Sequence, residues 1–154
     1  MITLILPRPI QDTIRAALLK AGRREIGGIL MAEHVGPNAF EVKDLTVHRR
    51  GTVFNFIRAV EDAIGRLRAF FERAEHNYTR FNYIGEWHSH PSFAPFPSPR
   101  DDASMREIVE DPTVGANFVV LLIVKLESPH EMATSVHTYL PDGTKHTSIL
   151  VCGD

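Results

Sequence analysis

Apolar residues recur along this chain with two different periods, and the alternation between them predicts the elements. MITLIL opens as a short strand that Pro7 and Pro9 break. From Pro9 the apolar positions Ile10, Ile14, Ala17, Leu18 and Ala21 repeat at helical spacing, with proline suited to a first turn and Gly22 to the end. EIGGILMAEH and FEVKDLTV read as two strands joined through VGPN, whose Gly36, Pro37 and Asn38 are turn formers. Between Ile57 and Glu75 the apolar residues Val60, Ile64, Leu67, Phe70 and Phe71 keep to one face, while acidic and basic residues take the other. That pattern predicts a long helix. Asn82 to His90 reads as a strand, Asp101 to about Glu110 as a short helix, and FVVLLIVKL as a central strand. MATSVHTYL and KHTSILV, split by Pro141-Asp142-Gly143, predict a closing hairpin. Helices and hairpins mix without a regular βαβ rhythm. The expected class is α/β: a mixed, mainly antiparallel curved sheet flanked by helices, in one domain over residues 1–154.

Composition narrows the function classes. An apolar fraction of 44% against 23% charged residues suits a globular chain with a core. A formal charge of -2 gives no broad basic surface, so no nucleic-acid partner is expected. The single cysteine, Cys152, excludes an intrachain disulfide and any zinc ribbon, favours a reduced cytoplasmic setting, and lies too near the end to suggest a nucleophile. No apolar run reaches the roughly 20 residues of a membrane span, and the start lacks a basic signal region.

The candidate chemistry lies in GEWHSHPSFAPFPSPRDDAS, residues 85–104. In a strand, His88 and His90 leave the same face, as two ligands to one metal ion would. They could equally be polar residues at a strand end. Ser98-Pro99-Arg100-Asp101 fits a helix start, with serine as N-cap, proline at the first position and an acid at the third. This alone accounts for those residues, yet the same geometry would carry the Asp101 carboxylate towards a metal held by the histidines. Two imidazoles and a carboxylate form a catalytic zinc set with a fourth position open. Zinc hydrolases of this kind add a carboxylate outside the ligand set to carry the proton, and Glu25, before Gly27-Gly28, is a candidate. Taken locally it reads equally as a strand-edge surface residue.

Together, Glu25 far upstream, His88-Ser89-His90-Pro91, six residues, and Ser98-x-x-Asp101 resemble the signature of the JAMM metalloproteases, also called the JAB or MPN family. The resemblance in order spans nearly the whole chain and implies an MPN, cytidine-deaminase-like fold. It implies that His88, His90 and Asp101 bind Zn2+, that Glu25 is general base and acid, and that Ser98 stabilises the oxyanion. It further implies a zinc isopeptidase or peptidase acting after the C-terminal tail of a ubiquitin-like modifier or its conjugate. The chain lacks room for the long insertions of the eukaryotic deubiquitinases and is more similar to compact prokaryotic JAB proteins. Some of those occur in antiviral conjugation operons; others accompany sulfur carriers. The alternatives are a hydrolase releasing a small amino acid or amide from a sulfur-carrier protein, and a non-catalytic MPN scaffold.

Several neighbours carry weaker readings. Trp87 and Phe93 could line a groove for an extended tail or pack the interior. Asp102 could be mistaken for the ligand, but the spacing selects Asp101. Glu33 and Glu86 compete with Glu25, and Glu86, on the side of His88, could accept from an imidazole N–H. His34, His48, His76, His130, His137 and His146 have no partner at ligand spacing and are expected at the surface or in hairpins.

Overall fold

The two periods of the sequence become, in a computed structural model describing residues 1–49, 68–112 and 114–154, a nine-stranded sheet with helices on both faces. The strands are β1 (Thr3–Leu6), β2 (Ile26–Gly36), β3 (Ala39–Leu45), β4 (His48–Arg49), β5 (Phe81–Ser89), β6 (Val119–Ser128), β7 (Glu131–Tyr139), β8 (Lys145–Thr147) and β9 (Ile149–Cys152). The helices are α1 (Arg8–Ala21), a helical segment α2 (68–73) and α3 (Pro99–Glu110). Of the long helix expected over 57–75, residues 57–67 lie outside the described residues. Strand order is β8-β7-β6-β5-β2-β3-β1-β9, with β4 also on β2. Pairing is mainly antiparallel; β1 runs parallel to β3 and β9, and β5 parallel to β6.

One parallel pair matters for the site. Parallel neighbours need a crossover, and α3 lies in the connection from β5 to β6, so its N-terminus sits just past the C-terminal end of β5. Such a strand end facing a helix start is where α/β sheets place ligands.

The last strand differs from the expected hairpin. KHTSILV does not form one strand: it breaks at Ser148, with Lys145–Thr147 on β7 and Ile149–Cys152 on β1. The Ser148 amide donates to Val136 at 2.8 Å and that of Ile149 to Ile2 at 3.0 Å, so consecutive residues bond to opposite ends of the strand order. The sheet therefore curls until its ends meet. The Ser148 and Thr138 hydroxyls, 2.6 Å apart, close the join. Strand periodicity carries no sign of which neighbour a strand chooses, which is why the break was not legible.

Inside the curl, Leu4, Leu6, Leu30, Trp87, Leu122 and Val136 pack with Ile14 and Leu18 of α1. Outside it, Met105, Ile108 and Val109 of α3 cover Val119, Leu121, Ile123 and Tyr139, and Phe70 of α2 covers Ile29 and Met31. β6 is covered on both faces, which explains its unbroken apolar run. α1 ends as its sequence suggests: Gly22 at φ 62° sends its amide back to the Leu18 carbonyl.

Gly27 and Gly28 are fixed by close approach. A Cβ on Gly28 would stand 2.0 Å from the Thr46 carbonyl oxygen, and one on Gly27 2.4 Å from that of Trp87 and 2.8 Å from Cβ of His88. Backbone and the His88 side chain fill that space. Gly28→Ala is expected to lower unfolding stability by at least about 3 kcal/mol, the upper range for a group forced into filled space. Gly22→Ala, with open space but positive φ, should cost about 1 kcal/mol. Urea denaturation of the two variants checks the difference; equal effects would contradict the packing at Gly28.

Candidate metal centre

β5 delivers the histidines. Register pairs His88 with Gly27 on β2 and with Ile123 on β6, holding the strand from both sides up to its last residue. Beyond it the His90 amide still donates to the Val124 carbonyl at 3.0 Å, so extended geometry persists to the second histidine. Both rings leave the same side, are almost completely buried, and lie 5.0 Å apart at 28°. Pro91 then turns the chain into a loop whose Ala94 carbonyl accepts from His90 Nδ1 at 2.9 Å. A carbonyl only accepts, so Nδ1 carries the proton and Nε2 is left with its lone pair towards the site. The Phe93 ring stacks on His90 at 4.1 Å and holds it from the other side.

α3 delivers the carboxylate. The Ser98 hydroxyl accepts from the Asp101 amide at 3.1 Å, and Asp101 Oδ2 accepts from the Ser98 amide at 2.9 Å, a complete capping box with Pro99 in the first turn. This fixes Asp101 before any ligand is considered. Oδ2 then stands 3.2 Å from His90 Nε2 and Oδ1 3.3 Å from His88 Nε2, while the two Nε2 atoms are 3.2 Å apart.

This donor set fits a small divalent cation. Ligands at 2.0–2.1 Å in a tetrahedron lie about 3.3 Å from each other, the edge length that zinc with histidine and carboxylate donors requires. Two imidazoles beside one carboxylate suit zinc better than magnesium or calcium, which take oxygen. Among the described residues these three form the one cluster of His, Cys, Asp or Glu donors close enough to share a cation. The electrostatics agree. Although burial opposes its charge, Asp101 is held far below the ordinary carboxylate range by hydrogen bonds with His88 and His90 and the Ser98 amide. Burial alone would lower the His90 pKa, but the hydrogen bonds to Asp101 and the Ala94 carbonyl, with the charges of Asp101 and Glu25, raise it. The pocket is built to hold positive charge.

Glu25 reaches the same place by a route the sequence hid. The strand begins one residue later than expected, at Ile26, and the Ile26 amide donates to the Ser89 hydroxyl at 3.0 Å. The serine between the two histidines thus ties the residue after Glu25 to the ligand strand. Glu25 is exposed on the rim, near enough for its charge to act on His90.

Other expectations sort themselves. Trp87 is fully buried, its indole N–H donating to the Thr46 carbonyl at 2.8 Å, so it packs the core and lines no groove. Phe93 remains 45% exposed beside the site. Glu33 is occupied by Lys43 and Arg80, away from the centre. Glu86 is buried in β5, and for the His90 ring the acceptor is the Ala94 carbonyl. Asp102 faces away from the cation position, towards Tyr139 and Lys145. His137 lies in the β7–β8 hairpin, within the expectation, but is buried there because alternation turns it to the α3 side; His34, His76, His130 and His146 are exposed and His48 is half-buried. Ser89 and Ala94 are the contributors that sequence reasoning missed. A hydroxyl residue between two ligands was the one available sign for Ser89; a backbone carbonyl leaves none.

Fold and site together define a curled α/β fold with two histidines and an aspartate that could hold a cation at the end of a parallel strand pair. The chain belongs to the family of prokaryotic homologs of the JAB domain, whose model matches residues 7–138. A protein from Desulfitobacterium hafniense of known solution structure shares the fold, with a TM-score of 0.69 at 17% identity over 98% of this chain and 93% of its own. The crystal structure of a JAB1/MPN domain protein from Archaeoglobus fulgidus aligns over 97% of this chain and 98% of its own, with a TM-score of 0.48 at 15% identity. No curated protein matches the chain. Membership of this family is compatible with hydrolase activity. Among the described residues no helix is long and apolar enough to cross a membrane.

Protons and the cation compete for His90. A cation needs the neutral ring, so Zn2+ affinity should rise with pH until it passes the pKa of His90, which lies above the ordinary 6.5. The metal-free protein should show the opposite sign. A raised folded pKa contributes stability below the unfolded value and loses it as pH rises through the folded one. Unfolding free energy of the metal-free chain should therefore fall as pH rises from the ordinary histidine value of about 6.5 through the raised folded one. Asp101→Asn should flatten that slope and weaken Zn2+ binding by at least about 100-fold, as loss of a ligand does. Zinc titration and denaturation across that pH range check this; an unchanged slope in Asp101→Asn would contradict the assigned coupling.

Proposed function

We propose that this chain is a zinc-dependent peptidase or isopeptidase of the JAMM type, cleaving after the C-terminal tail of a ubiquitin-like modifier in deconjugation or processing. The observation that carries the reading is the triangle of His88 Nε2, His90 Nε2 and the Asp101 carboxylate, with edges of 3.2–3.3 Å. Its two flanking groups, Glu25 and Ser98, complement it.

Bound zinc supplies Lewis acidity, lowering the pKa of water towards 7 and polarising a carbonyl. His88, His90 and Asp101 hold the cation, with His90 fixed in the required tautomer by Ala94. Glu25, exposed on the rim, takes the proton from the attacking water and passes it to the leaving amine. Ser98 serves the developing oxyanion. Its oxygen already accepts the cap bond from the Asp101 amide, which leaves its own O–H free to donate to a carbonyl oxygen as negative charge grows there. The start of α3 adds the positive end of a helix dipole on the same side. A non-catalytic scaffold would use Ser98 and Asp101 as the helix cap but would have no use for two buried histidines aimed at that carboxylate or for Glu25 beside them, and this favours the enzyme.

Glu25→Gln should retain one zinc per chain and the wild-type fold while cleavage of a ubiquitin-like protein with a C-terminal extension falls by at least about 100-fold. Ser98→Ala should lose about 100-fold in kcat and about 1 kcal/mol of stability with the cap. Full activity in Glu25→Gln would remove the mechanism. Cleavage of small amino-acyl amides, with the fusion left intact, would move the reading to a small-substrate hydrolase of the sulfur-carrier type.

A further inference from the structure

The hairpin formed by β7 and β8 supplies none of the donors His88, His90 and Asp101, yet both its strands reach the helix that carries Asp101. Tyr139 and Lys145 are directly opposite partners across it. The Tyr139 hydroxyl donates to Asp102 Oδ1 at 2.5 Å, and Lys145 Nζ lies 3.2 Å from Oδ1 and 3.1 Å from Oδ2 of the same carboxylate. Tyr139 is fully buried, so its hydroxyl has a single fixed direction. Charge-assisted bonds of this kind are the strong ones. They hold Asp102, the residue that follows Asp101 in α3.

We propose that Asp102, Tyr139 and Lys145 are positioning residues that set the angle of the first turn of α3, and through it the cation affinity of the site. The inference rests on the metal centre proposed above. The capping box fixes Asp101 relative to its own helix, but nothing in the box fixes the helix relative to β5, where the histidines sit. Apolar packing of Met105, Ile108 and Val109 begins one turn later. Asp102 adds a charged attachment between the first turn and the sheet. Asp101 and Asp102 diverge by about 100° around a helix of 3.6 residues per turn, so one carboxylate meets the cation position while the other meets the hairpin. The tight Pro141-Asp142-Gly143 turn, where Asp142 accepts from the Thr144 amide at 2.9 Å and from its hydroxyl at 2.6 Å, keeps the two arms in register.

The test is Zn2+ affinity, measured on the metal-free full chain by competition with a chromophoric chelator, together with the visible spectrum of the Co2+ form. Asp102→Asn and Lys145→Met should each weaken Zn2+ binding by about 10-fold, the low end for residues that orient a ligand from outside the coordination shell, and alter the Co2+ bands. Tyr139→Phe should do the same, and Lys145→Arg should restore near-wild-type affinity. Ile108→Val, on the buried face of the same helix, should lower the melting temperature and leave Zn2+ affinity unchanged; this separates positioning from general stability. Should Asp102→Asn fail to fold, the half-exposed Lys145 decides through its two variants. Wild-type affinity and Co2+ spectrum in folded Lys145→Met and Tyr139→Phe would overturn the clamp while leaving the metal centre standing. A wild-type chain that binds no Zn2+ would overturn both.

Discussion

The structure turns on one carboxylate that answers to two masters. Asp101 closes the N-terminus of α3 through the Ser98 amide and, with the same oxygen, faces His90. The first bond is local and forms whenever the helix does; the second requires that α3 and the end of β5 meet. Helix formation thus presents the ligand, and the crossover between parallel strands presents it to the right partners. Cap and ligand use different directions around the carboxylate, so neither role excludes the other. Ser98 shows the same economy: as acceptor it completes the cap, and as donor it remains available.

The second dependency is close backbone approach at the start of β2. Without side chains at Gly27 and Gly28, β5 and the Thr46 segment can press against β2, and this contact fixes where Glu25 emerges. Ser89 secures it from the other side through the Ile26 amide. Two of the three segments that build the site, β2 and β5, are therefore sewn together beneath the histidines. The third, α3, is joined to the rest through its packing on β6 and β7 and through Asp102.

Much of this was legible because residue type and spacing map directly onto geometry. The two-residue spacing of His88 and His90, the Ser98-Pro99-x-Asp101 helix start, Gly22 as a stop and the VGPN turn each have a local physical cause, and each appears where expected. What escaped depends on partners distant in sequence. Alternation cannot tell that β9 leaves β8 at Ser148 to pair with β1, since Thr147 and Ile149 suit either neighbour. Nor does an aromatic residue beside a ligand show whether it faces the groove or the core. Trp87 faces the core because alternation from His88 sends it there, and the Thr46 carbonyl receives its N–H. His137 lies in a hairpin, as one of its two expected settings, but its burial there was not legible, because the lack of a ligand partner has no bearing on which side of β7 it occupies.

Energetics also bear on why these three groups lie together. Two imidazoles and a carboxylate drawn out of water carry a desolvation cost, and filling such a space with apolar side chains is often as stable or more so. The fold itself has little need of the triad: α3 is already seated by Met105, Ile108 and Val109, and β5 is held by β2 and β6. Capping explains Asp101, but capping gives no reason for two buried imidazoles aimed at its oxygens, one of them locked by Ala94 and Phe93 with its free nitrogen inward. A cation would offset the desolvation of all three groups at once. The cost of burying them would then appear as affinity for that cation.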